Sequence, residues 1–144
     1  MDLNSLRTLH AIGNYPSIIA ELSTTSTEIN SEFLVLGWKS ILKGTGDVSK
    51  CAQFLSSYAV SEILKKALML WSKVYKNLQA NQASSNADIV ALKEIGLKAR
   101  EAVEIEPEER DQIILISAEA LLMSSSPSES FNLLKFLKAS NLDW

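Results

Sequence analysis

One cysteine, Cys51, and one histidine, His10, stand in a chain of 144 residues. A lone cysteine excludes an internal disulfide and a cysteine-based metal cage. With no second histidine and no cysteine near His10, neither a histidine-rich metal site nor a Ser-His-Asp triad has support. Apolar runs are short, as in Ile113 to Ile116, and none is long enough to span a bilayer. The opening MDLNSLRTLH lacks the apolar core of a signal peptide. No strong charge imbalance exists either: the net charge is −3 and the pI about 5.2, which argues against a general affinity for nucleic acid or anionic lipid. Gly44-Thr45-Gly46 lacks the third glycine and the preceding strand of a phosphate-binding loop. Together these absences lead us to expect a cytoplasmic protein without cofactor or metal, not an integral membrane protein, in a reducing compartment.

Glycine and proline are scarce, at five and three residues, and both are the residues that punctuate regular structure. What fills the chain instead is apolar, 47% of it, enough for one globular domain over 1–144. The apolar residues recur mostly at three- and four-residue steps, which predicts helices throughout and an all-α fold. Leu3, Leu6, Leu9 and Ile12 mark a first short helix, stopped by Gly13-Asn14. Pro16 opens a second, and the hydroxyl-rich 23–27 segment follows it. A third runs from about Glu28 to Lys43 and is apolar on more than one side, as expected of a helix sandwiched between neighbours. Asp47 caps a fourth, with Val48, Cys51, Ala52, Phe54 and Leu55 on its apolar face, and Ser61 precedes a fifth that extends to Leu78. The segment from Asn81 to Asp88 is the most loop-like and is expected to be the most mobile internal stretch. A sixth helix is expected from about Asp88 to Glu104, a seventh from about Glu108 to Met123, and an eighth that packs Phe131, Leu134, Phe136 and Leu137 after a turn over 124–130.

Eight helices pair into four hairpins, and a shift of 33 residues takes Gly13 to Gly46, Ile18 to Cys51, Leu22 to Leu55 and Trp38 to Trp71. Later spacings are nearer 40, as between Asp47, Ala87 and Pro127. A period of about 34 residues built from two helices resembles the tetratricopeptide repeat, in which each pair hides its apolar face on the next. AREAVEIEPEE, from Ala99 to Glu109, is similar to the end of such a repeat, and LRTLHAIGNYPSIIAEL, from Leu6 to Leu22, to one of its hairpins. About the first 60 residues also resemble the opening repeats of the epsilon subunits of the COPI vesicle coat, which join a short first helix to a Gly-x-Tyr turn, here Gly13-Asn14-Tyr15.

The resemblance implies a right-handed solenoid of about four helical hairpins, with Trp38 and Trp71 as equivalent packing residues between repeats. The chain departs from the pattern in three ways. Ile41-Leu42 and Val74-Tyr75 replace the usual Leu-Gly pair, the repeat-ending proline occurs once, at Pro107, and the unit lengths are unequal. An irregular helical bundle therefore stays open. The sequence also ends at Trp144 without the polar capping helix that closes a solenoid, as expected of the N-terminal part of a longer protein.

Candidate chemistry is thin. His10 reads as a surface or half-buried helix residue, and Cys51 as a small packing residue and not an activated nucleophile. Glu101, Glu104, Glu106, Glu108, Glu109 and Asp111 form a dense acidic stretch. It reads first as solvated charge at a helix start, then as a partner-binding patch, and last as a catalytic or metal site. Between residues 39 and 76 seven lysines face Asp47 and Glu62, a balance of +5, whereas 77–144 has six basic and eleven acidic residues, a balance of −5. The lysines read as a solvated outer face or as a basic surface for an acidic partner. The partner-binding candidates are Lys65, Lys66, Lys73 and Lys76 on one side and Glu101, Glu104, Glu108 and Glu109 on the other. The expected function is a non-enzymatic scaffold or complex subunit, vesicle-coat-like subunits included, that binds a protein partner and has scope to self-associate. The alternative is a small helical adaptor or regulatory effector that uses one helix pair.

Overall fold

The computed structural model describes residues 2–22, 29–124 and 126–135. The described residues form eight helices and no strand. They are α1 (Leu3–Ala11), α2 (Tyr15–Leu22), α3 (Ser31–Thr45), α4 (Val48–Leu55), α5 (Glu62–Gln79), α6 (Asn86–Glu101), α7 (Pro107–Met123) and α8 (Pro127–Leu134). The expected connector at 23–27 and the expected core residues Phe136 and Leu137 lie outside the described residues.

Side-chain caps fix most helix starts. Asp2, Asn30, Asp47, Ser61 and Ser85 each accept a hydrogen bond from a backbone N–H of the first turn they precede, which satisfies one of the donors a helix start leaves unpaired. Ser85 corrects the expected start of the sixth helix: α6 begins at Asn86, so the loop is shorter than the 81–88 stretch. The far end of α6 is also earlier than expected, at Glu101. Pro107 and Pro127 open α7 and α8, where a missing N–H is harmless. The expected last turn over 124–130 is thus shortened, and residues from Pro127 onward are already helical. Gly46 ends α3 at φ 70°, with its N–H donating to the Leu42 carbonyl, a left-handed cap that glycine takes without strain.

The chain divides into two compact units, Met1–Ala59 and Val60–Trp144. In the first unit α3 packs against α1, α2 and α4, and α1 against α2. Nine of the fifteen residues of α3 are buried, Phe33–Val35 and Gly37–Leu42, which is the enclosure its all-round apolar character demands. Arg7 on α1 makes a two-pronged ion pair with Glu32 on α3, and that carboxylate, by hydrogen bonding first and charge second, holds the exposed guanidinium above its ordinary pKa. Gly37 lets α4 approach closely: an added Cβ there would lie 2.6 Å from the Phe54 ring. On α4, Cys51 and Leu55 are buried, but Ala52, expected on the same face, is exposed.

In the second unit α7 packs against α5, α6 and α8, α5 against α6, and α6 against α8. The expected core residues Ile113, Ile114, Ile116, Ala120 and Leu121 are all buried. Three neighbours cover most of α7 and leave a stripe through Leu115, Glu119 and Leu122 exposed. Gly96 on α6 admits Leu133 of α8, whose Cδ2 would lie 2.5 Å from an added Cβ. On α8 the buried residues are Ser130 and Leu133. Phe131, expected in the core, is 67% exposed. An eight-residue helix with one neighbouring face buries only every third or fourth position, and Ser130 takes that face because its hydroxyl donates to the Ala118 carbonyl at 2.7 Å.

Trp38 on α3 and Trp71 on α5 are both fully buried. Trp71 stacks on Tyr75 with ring centroids 5.2 Å apart, and its Nε1–H donates to Glu119 Oε1 on α7 at 2.7 Å. Three outcomes follow. The far-ultraviolet circular dichroism spectrum should be strongly helical, and a substantial strand component would contradict the fold. Trp38→Ala and Trp71→Ala should each cost roughly 3–5 kcal/mol in chemical denaturation, as large buried aromatics do. Trp71→Phe keeps an aromatic ring but loses the indole hydrogen bond and leaves a smaller cavity, so it should cost less than Trp71→Ala but more than the roughly 1 kcal/mol of the hydrogen bond alone. Unchanged midpoints would mean that neither indole holds its unit together.

Candidate interaction site

Lys65 and Lys66 near the start of α5, and Lys98 near the end of α6, line one groove with Met69, Leu70, Ala91, Glu94 and Ile95. The shared groove shows that α5 and α6 run antiparallel. Its volume is about 400 Å³. The floor is apolar, with Ile95 buried, Leu70 and Ala91 half-buried and Met69 49% exposed. The rim is charged and exposed, three lysines against Glu94. An apolar floor inside a cationic rim suits a segment that presents apolar side chains flanked by carboxylates.

The four candidate lysines do not act as one patch. Lys65 and Lys66 reach the groove, and Lys65 also lies 3.3 Å from Glu62 one turn away. Lys76 is exposed near the C-terminal end of α5. Lys73 is committed elsewhere: its Nζ sits 3.2 and 3.1 Å from the two carboxylate oxygens of Asp88 on α6. Asp88 is only 7% exposed, so this pair fastens the two helices near their shared loop. Lys39 also departs from the outer-face reading, being buried on α3, while Lys43 lies 5.8 Å above the Tyr15 ring.

The acidic residues are spread over the junction between α6 and α7. Glu101 is the last residue of α6, Glu104 lies in the turn, and Glu108 and Glu109 occupy the first turn of α7, where the helix dipole favours negative charge. Glu101, Glu104, Glu106 and Glu108 are exposed and Glu109 is half-buried, but Asp111 is buried and corrects the reading of the whole stretch as solvated. The turn begins earlier than the expected helix end at Glu104, because α6 stops at Glu101. The Ile105 N–H donates to the Ala102 carbonyl at 3.3 Å, both of those residues are buried, and Val103 between them is 89% exposed. Pro107 and the flanking glutamates marked the junction in the sequence, but not the exposed Val103 at its tip.

His10 is half-buried in the last turn of α1, edge-on to Tyr15 at 5.7 Å. Cys51 is fully buried, and its thiol donates to the Trp38 carbonyl at 3.4 Å, linking α4 to α3. Among the described residues no three histidine, cysteine, aspartate or glutamate side chains converge as metal ligands, and no helix is long and apolar enough to cross a membrane. No protein-family model, curated protein or solved structure matches the chain.

The two ion pairs of α5 should respond differently to loss of the lysine. Lys73→Met leaves a buried carboxylate short of its cation. Because Lys73 itself is 60% exposed, the cost should be about 1–2 kcal/mol, below that of a fully buried pair. Lys65→Met, beside the exposed Glu62, should cost less than about 1 kcal/mol. Equal effects in thermal denaturation would remove the structural role of Lys73.

Proposed function

We propose that this chain is a tetratricopeptide-like helical-repeat scaffold, a non-enzymatic subunit that recognises a protein segment within a multiprotein assembly. The observation that carries the reading is a repeated pattern of neighbours. In each unit the first helix of the second hairpin packs against both helices of the first hairpin and against its own partner: α3 against α1, α2 and α4, and α7 against α5, α6 and α8. Stacked hairpins of a right-handed solenoid have these relations, because one helix pair cannot hide its apolar face alone. Trp38 and Trp71 each lie on the first helix of a hairpin, Trp38 on the central helix of its unit and Trp71 on α5 against the central α7. Recognition then rests on shape and charge, and the groove between α5 and α6 with its lysine rim supports that role. A vesicle-coat-like assembly fits the resemblance of the opening helices, and a cytoplasmic setting fits the single reduced cysteine.

The test is the state of the endogenous chain. Tagged at its own locus and fractionated under native conditions, it should travel with a different protein in fixed stoichiometry. Lys65→Glu/Lys66→Glu/Lys76→Glu should slow association with that protein at low salt by 10-fold or more, because exposed charges steer encounters. Lys73 is left intact to spare the Asp88 pair. A chain that fractionates without another protein overturns the scaffold reading.

A further inference from the structure

The acidic turn after α6 and the basic groove beside it are complementary, and we propose that two copies of this chain pair through them. The turn is built as a knob. Ala102 and Ile105 are buried feet joined by a hydrogen bond, so Val103 and Glu104 are held outward at the tip. Val103 is the most exposed large hydrophobic residue among those described, at 89%, and Glu101 and Glu104 flank it. The groove is built as the matching hole, an apolar floor with Lys65, Lys66 and Lys98 outweighing Glu94 at its rim.

Knob and hole lie close together. Lys98 is a wall of the groove and α6 ends three residues later, at Glu101, a rise of about 4.5 Å along the helix. The anchored feet keep Val103 pointing into solvent instead of into its own groove. A patch that carries a knob beside its own hole is self-complementary, so a two-fold axis between them satisfies both contacts at once. Each copy gives its Val103 turn to the other and receives one in return. The pairing closes at two copies and does not propagate. Pairing occupies the same groove that the scaffold reading gives to a partner segment, so the two compete for it, and a measurement on the purified chain alone reads the pairing by itself.

Sedimentation equilibrium on the purified chain tests this without any partner. At low salt the chain should form dimers and no larger species, and the dimer should weaken as salt screens the lysine–glutamate contacts. Val103→Ser, at an exposed position, should reduce dimer affinity 10-fold or more while the helical spectrum stays unchanged. Charge reversal gives the sharper test. Lys65→Glu/Lys66→Glu leaves an acidic hole facing an acidic knob, and Glu101→Lys/Glu104→Lys leaves a basic knob facing a basic hole. Each variant alone should be monomeric. Mixed, they restore attraction at both contacts, and the heterodimer should form. A wild-type chain that is monomeric at low salt up to several hundred micromolar overturns the proposal. So do variants that dimerise as well as wild type, or a mixture of the two reversed chains that stays monomeric.

Discussion

The architecture of the second unit depends on the enclosure of α7. Eight of its seventeen residues are buried and a stripe through Leu115, Glu119 and Leu122 stays exposed, so the helix is stable only with neighbours covering its other sides. The positions of α5, α6 and α8 follow from this need. Trp71 packs its ring in the interior and sends its N–H to Glu119 on α7, Gly96 clears space for Leu133, and Ser130 caps off the Ala118 carbonyl on the same central helix. The same constraint governs the first unit through α3. Small residues and hydroxyls stand where helices come closest, because bulk there would force the packing apart.

Most of the helices were legible in the sequence because their ends are chemical events. Asp47 and Ser61 are caps that can be recognised without coordinates, and Gly46 is a stop for a steric reason. Periodicity likewise marked Ile113, Ile114 and Leu121 as core. The misses share a different cause. Phe131 is hydrophobic yet exposed, and Ala52 sits just off a buried face, because which side of a short helix is covered depends on neighbours distant in sequence. Asn86 opens α6 two residues before the acidic residue expected to begin it, because Ser85 is the cap and accepts from the Asp88 N–H.

Charge was legible in total but not in use. The lysine count of α5 is plain, but the sequence does not say that Lys73 is bound to a buried carboxylate while Lys66 borders a groove. Residues of one type, on one helix, thus divide into a fastening and a surface. The acidic junction divides likewise: Asp111 is in the interior and Glu104 at the tip of a turn. Such distinctions arise only when the chain folds back, so sequence spacing alone could not separate them.

Every helix pairing described closes within one of the two units, and the first unit spans only Met1–Ala59. Partners so near in sequence carry little loop-closure entropy, which is the condition for rapid folding. During synthesis, at a typical ~5–20 residues per second, α1 to α4 hold all the pieces of their own core before α7 has been made. The order of emergence from the ribosome therefore matches the order in which buried surface becomes available. The exposed interval for the apolar sides of α3 is set by one short stretch of translation, not by completion of the chain.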